Sequence, residues 1–172
     1  MKKLKYVDTA VTFSEAPNEI CLCINISGCP FRCTGCHSKY LQRDNGEPLT
    51  TEVLDELISK NAGITCVCFM GGDGNPYELM RLIRHVKMNH RDLKTCWYSG
   101  GDQTYHNLYI EGISHALLDY VKYGSYDMEQ GPLDDTNTNQ RFYSITWDEG
   151  MAHMECMNWW FQDKSKSQSK TA

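Results

Sequence analysis

The sequence has no run of about 20 apolar residues, the length a membrane-crossing helix needs, so no part of it reads as a transmembrane span. Its opening, MKKLKYVDTAVTF, begins basic but reaches no apolar core of the kind a secretory leader carries. A basic stripe is missing too. The 17 Lys and Arg are scattered against 22 Asp and Glu, for a net charge of −5, which argues against nucleic acid as a direct partner. There is no internal repeat and no Pro- or Gly-rich linker to divide the chain. At 172 residues it fits one domain, well short of the roughly 250 residues of a complete (β/α)₈ barrel. The expectation is a cytoplasmic protein without nucleic-acid or membrane partners. Residues 1–162 are expected to form a single domain and 163–172, DKSKSQSKTA, a disordered tail.

Nine cysteines are many for such a chain. Cellular thiols keep cytosolic cysteines reduced, and an odd count leaves one unpaired, so a disulfide scaffold is a poor reading. Three of them stand together in GCPFRCTGCHSKY, residues 28–40, as Cys29, Cys33 and Cys36 in the spacing C-x3-C-x2-C. No fourth follows at a near spacing. A structural zinc site wants four closed ligands. His37 is the nearest candidate for the fourth, but two consecutive residues seldom both face one tetrahedral ion. Electron-carrying ferredoxins hold their clusters with four cysteines at other spacings. Three thiolates therefore point to an iron–sulfur cluster with one iron left for substrate. A zinc-stabilised interaction domain without enzymatic activity stays open as the alternative.

The segments around this loop alternate. EICLCINISG, 19–28, is apolar at nearly every place and reads as a strand buried on both faces. TTEVLDELISKNAG, 50–63, has Thr50 or Thr51 as N-cap, an apolar stripe of Val53, Leu54, Leu57 and Ile58, and Gly63 as stop. ITCVCFM, 64–70, is a second buried strand, and GGDG ends it. Asn75 and Pro76 then open a helix running toward His90, and LKTCWYSG, 93–100, is a third strand. Further on, a helix is expected around 110–118, a short strand at LDYVKYG, a turn-rich stretch SYDMEQGPLDDTNTNQ, and RFYSITW as the last strand. This order predicts an α/β fold with a mostly parallel sheet and right-handed crossovers. Ligand sites in such sheets lie beyond the carboxyl ends of the strands, where the cysteine loop and GGDG both fall.

Gly71 and Gly72 lack a Cβ, so backbone can approach a ligand closely there, and Asp73 offers a carboxylate that can receive an ammonium. Taken together, the C-x3-C-x2-C loop and MGGDGNP one β–α unit later resemble the radical S-adenosylmethionine superfamily. CWYSGG (96–101), DYVKYGSY (119–126), GPLDD (131–135) and TNQRFY (138–143) narrow the likeness. In order and spacing they are similar to the glycyl radical enzyme activases of anaerobic ribonucleoside-triphosphate reductases. The resemblance spans roughly residues 17–145. Two departures stand out: the chain reads DTNTNQR where many members have Arg-Gly-Ser before Asn-Gln-Arg, and Gly35 rather than an aromatic precedes Cys36.

The resemblance implies a small incomplete (β/α) barrel of the radical S-adenosylmethionine type. It implies a 4Fe-4S cluster held by Cys29, Cys33 and Cys36, whose fourth iron chelates S-adenosylmethionine. Gly35, Cys36 and His37 would lie against the adenosine part of that cofactor, and Gly71, Gly72 and Asp73 near its amino group. The implied activity is reductive cleavage of S-adenosylmethionine to generate a glycyl radical on the large subunit of the anaerobic reductase, with electrons from an external one-electron donor such as flavodoxin. Activation of another glycyl radical enzyme, or radical chemistry on a small molecule, keeps the cofactors and changes the target.

Other residues carry weaker signals. Asn139, Gln140 and Arg141 suit either cofactor orientation or turn chemistry. Cys21 with Cys23, and Cys66 with Cys68, each share a strand face and suit either a second metal site or a packed core. Cys96 and Cys156 belong to no motif, and MECMNWWF, 154–161, reads as core packing or a docking patch.

Overall fold

The computed structural model describes residues 3–102 and 117–163. Four apolar runs become adjacent strands: β2 (Cys21–Ile26), β4 (Cys66–Met70), β5 (Lys94–Tyr98) and β6 (Tyr120–Tyr123). They pair in parallel in that order. Around them lie β1 (Lys5–Thr12), the two-residue β3 (Glu47–Pro48), β7 (Arg141–Asp148) and β8 (Met151–Cys156). The sheet runs β3-β1-β2-β4-β5-β6-β7-β8.

The expectation of a mostly parallel sheet needs correction. Three pairings are parallel and the four outer ones antiparallel, so the sheet is mixed, and among the described residues it does not close. Three strands escaped the sequence reading, the two-residue β3 among them. KYVDTAVT is half exposed and supplies no buried run, and MAHMEC is poor in β-branched residues. RFYSITW is thus not the last strand. Glu149 and Gly150 both take positive φ, 50° and 80°, the mirror-image turn that lets two strands reverse within a two-residue loop, and β8 returns along β7. The expected helix at 110–118 lies, except for its last two residues, outside the described residues, as do 164–172 of the tail.

Side chains on the central strands segregate by face. Leu22, Ile24, Val67, Phe69, Trp97 and Val121 point to one side. There α1 (Thr51–Lys60) and α2 (Pro76–Asn89) cover them with Leu54, Leu79, Leu82 and Ile83. Each such side chain, removed fully from water, contributes about 1.5–3 kcal/mol. Cys21, Cys23, Cys66, Cys68 and Cys96 point to the other side and pack with Ala16, Tyr120 and Phe142. Cys23, Cys68 and Cys96 stand in register across three strands. They are free and buried, and they pack as small apolar fillers. A short α3 (Asn158–Gln162) closes this side, its Phe161 ring 4.9 Å from Phe142. Of MECMNWWF, then, Trp160 and Phe161 serve the core while Trp159 stays exposed.

The helices begin as their sequences require. Thr50 Oγ1 accepts from the Val53 amide at 3.3 Å, and Asn75 Oδ1 from the Glu78 amide at 3.3 Å with Pro76 following. At the amino end of the sheet one buried carboxylate ties the strands together. Glu19, just before β2, accepts from Thr65 Oγ1 before β4 (2.6 Å), from Lys94 Nζ at the start of β5 (2.5 Å) and from Tyr120 Oη at the start of β6 (2.9 Å). The opposite, carboxyl end is left to the loops.

Candidate metal centre

The loop after β2 is held at both ends. The Gly28 amide donates to the Arg43 carbonyl at 3.1 Å, and the Cys29 amide to the Leu41 carbonyl at 3.0 Å. Within it the Cys36 amide donates to the Cys33 carbonyl at 3.3 Å, a tight turn that brings the second and third cysteines to one side. Phe31 packs against the backbone of Gly100, where a Cβ would meet the ring at 2.4 Å. The cysteine loop therefore rests on the loop after β5, and only glycine lets it rest there.

Cys29, Cys33 and Cys36 line one cavity of about 180 Å³ together with Gly71, Asp73, Ser99, Gly100, Lys122, Gly124 and Gln140. The loops after β2, β4, β5 and β6 all contribute, so the cavity sits at the carboxyl ends of the four parallel strands. A wider cavity of about 580 Å³ adjoins it, sharing Cys36, Ser38, Tyr98, Lys122, Tyr126 and Gln140 and adding His37, Leu133 and Phe161. That volume is in the range of pockets for nucleotide-sized ligands.

The three thiols are partly exposed. Burial pushes Cys29 above its ordinary thiol value, and the nearby Asp73 carboxylate adds to the effect, so its deprotonation would accompany metal binding. One tetrahedral ion with bonds of about 2.3 Å would draw three sulfurs to about 3.8 Å from one another. Among the described residues these three sulfurs do not gather within 4.8 Å of one another. Of the other six cysteines, five are buried within the sheet and Cys156 is exposed at the end of β8. The loop's thiol set is three.

The glycine loop divides its labour. Gly71 and Asp73 line the cavity, whereas Gly72, with φ 99°, turns its α-carbon toward Leu79 of α2, 3.0 Å from where a Cβ would stand. The Gly71 carbonyl accepts from the Trp97 indole at 2.9 Å, which fixes the loop to β5. Asp73 is buried and engaged: its carboxylate accepts from the Ser99 hydroxyl and from the Gly100 amide at 3.3 Å. Burial raises its pKa in spite of these bonds. Each carboxylate oxygen has a second lone pair, so room remains for a further donor from the cavity.

Lys122 is the residue the sequence reading passed over. It projects from β6 into both cavities, 8% exposed, and donates to the Gly124 carbonyl at 2.7 Å. Burial pulls its pKa down to about 8 against the opposing pull of Asp73 and the loop's thiols. A lysine amid the apolar DYVKYG was the available signal. His37 lines the wider cavity, its ring 5.1 Å from that of Tyr126. Gly35, with φ 75°, packs on Met128 and lines neither cavity. Gln140 lines both cavities, but its neighbours do turn work: Asn139 Nδ2 donates to the Ser125 carbonyl at 3.0 Å, and Arg141 to the Gln140 carbonyl at 2.8 Å.

A three-thiol loop at the carboxyl ends of parallel strands, open to a ligand-sized cavity, defines an iron–sulfur protein. The family model described as a 4Fe-4S single cluster domain matches residues 20–131. That span covers well over half of the 172 residues, and the chain belongs to this family. No curated protein and no solved structure matches it.

Proposed function

We propose that this chain is a radical S-adenosylmethionine enzyme, the activase of an anaerobic (class III) ribonucleoside-triphosphate reductase. It would reductively cleave S-adenosylmethionine at its 4Fe-4S cluster and generate a glycyl radical on the reductase's large subunit. The observation that carries this reading is that the three cysteines share the 180 Å³ cavity with Gly71 and Asp73 of the glycine loop, and that the 580 Å³ cavity adjoins it at Cys36. A cluster there has three protein ligands and one iron left for a substrate.

When bound, cluster and S-adenosylmethionine supply the radical chemistry; the chain's residues hold and orient. Cys29, Cys33 and Cys36 take the irons. Asp73 and Gly71 receive the methionine end, with Gly72 setting the turn between them. Gly35, Cys36 and His37 border the place for adenosine. Lys122 keeps a positive charge beside the cluster ligands, and Gln140 adds an amide to both cavities. The wide cavity leaves room for the partner's glycine-bearing loop, which would exclude water once seated. A one-electron donor such as flavodoxin completes the set, in a cytoplasmic setting.

The test is anaerobic reconstitution with iron and sulfide, reduction with dithionite, and chromatographic assay for 5′-deoxyadenosine after S-adenosylmethionine is added. Product that disappears in Cys33→Ala supports the reading, and a glycyl radical signal on added reductase large subunit identifies the target. A loaded cluster that yields no product sinks it, and a colourless protein that retains zinc in place of iron turns the reading to the zinc-stabilised domain.

A further inference from the structure

On the helical side of the sheet, remote from the cysteine loop in sequence and face, three ligand-type side chains converge. His85 Nε2 lies 2.8 Å from Asp55 Oδ1, and His90 Nε2 lies 2.7 Å from the same oxygen. The three ligand atoms all fall within 4.8 Å of one another. Asp55 comes from α1, while His85 lies one residue before the last turn of α2 and His90 is its cap. Both rings are largely covered, at 21% and 23% exposure, and the carboxylate is open to solvent at 44%, so an ion has a way in. The frame is fixed. His90 closes α2 by donating its amide to the Val86 carbonyl at 2.8 Å, and its own carbonyl accepts from the Leu93 amide at 2.9 Å. The cluster and the cavities at the far strand ends make no use of this group.

We infer that Asp55, His85 and His90 form a second metal site, for a zinc-class divalent transition ion, that clamps α1 to the end of α2. Two imidazoles and a carboxylate suit zinc and its neighbours in the first transition row, and three protein ligands leave a fourth position to water. Bonds of about 2.0–2.1 Å set tetrahedral ligand atoms about 3.3 Å apart. The observed 2.7 and 2.8 Å need only a small opening to admit the ion. Binding replaces the proton on each Nε2, and on His85 the proton then resides on Nδ1. Asn89 Nδ2 stands 3.2 Å from that nitrogen, so turning the amide over presents its oxygen as acceptor.

The test uses the full chain with its cluster assembled, handled anaerobically and titrated with zinc chloride. Calorimetry should find about one zinc per chain beyond the cluster iron, with a higher melting temperature. Asp55→Asn and His85→Gln should each weaken zinc binding at least about tenfold while iron content and circular dichroism stay as in the parent chain. Nitrogen-15 spectra of the parent chain alone should show zinc moving the Nε2 signals of two histidines, so the inference survives or falls even if a variant misfolds. It is overturned if the parent chain takes up no stoichiometric zinc, if those histidine signals do not respond, or if folded variants bind zinc as well as the parent.

Discussion

The Lys122 ammonium donates to the Gly124 carbonyl across 2.7 Å, so the loop that directly follows the lysine's own strand supplies the acceptor that holds it. Its charge is therefore fixed in the cavity that Cys29, Cys33 and Cys36 line.

A fixed cation favours the form of a nearby cluster that carries one more electron. Lys122→Met keeps the length of the side chain and removes the charge. The reduction potential of the assembled cluster should become more negative by on the order of tens of millivolts, read in a redox titration followed by electron paramagnetic resonance. An unchanged potential would mean the charge does not reach the cluster.

Gly100 supports Phe31 directly. In Gly100→Ala the new methyl group would fall 2.4 Å from the ring, forcing it aside at a cost of about 1–3 kcal/mol. Phe31 lies between Cys29 and Cys33, so the variant should retain less iron after reconstitution while its far-ultraviolet circular dichroism is preserved. Full iron loading would show that the loop does not depend on this contact.

Glu19 acts at the other end of the sheet. Glu19→Ala removes the acceptor from Thr65, Lys94 and Tyr120. Because Lys94 is half exposed, the expected loss is about 2–3 kcal/mol rather than that of a fully buried pair. Urea denaturation measures it. Iron content should be untouched, since the damage lies at the amino ends of the strands and the candidate cysteine loop at their carboxyl ends.

Glu78 gives a pH dependence whose direction is set. Both its oxygens accept from the Arg81 guanidinium at 2.8 Å, which holds its pKa below the ordinary 4.5. Its contribution to stability is therefore present above pH 4.5 and is lost as the pH falls through the lowered value. Glu78→Gln should cost about 0.5–1 kcal/mol at neutral pH, because Arg81 is open to solvent. That difference should shrink toward zero in strong acid, as paired urea titrations at the two pH values would show.

The central strands and both long helices were legible because burial writes itself into sequence: ICLCINI and TCVCFM have no polar face to hide. Asn75-Pro76 and Thr50 announced the helix starts, and the cysteine spacing pointed to the iron–sulfur family that the chain belongs to. The outer strands were not legible. KYVDTAVT and MAHMEC are partly exposed, and their pairing partners, not their own composition, make them strands. That is why a parallel sheet was expected and a mixed one is found. Lys122 was hidden for a related reason. The lysine within DYVKYG marks an oddity, but whether it faces solvent or a cavity depends on loops from other parts of the chain, the cysteine loop and the glycine loop among them. The roles of Gly71 and Gly72, alike in sequence, separate only through Leu79, which fills the space beside one of them.

The face-sorting of the cysteines gives this protein an internal gauge of its own integrity. Five thiols are sealed within the sheet, while Cys29, Cys33, Cys36 and Cys156 reach solvent to varying degrees. In the cluster-free chain a thiol-specific dye would label the second group at once, and the first only when the sheet opens. The slow phase then times the opening of the structure as a whole. Oxidative damage in air would strike the accessible thiols first, where chemical reduction can undo it, and spare those whose modification would split the fold.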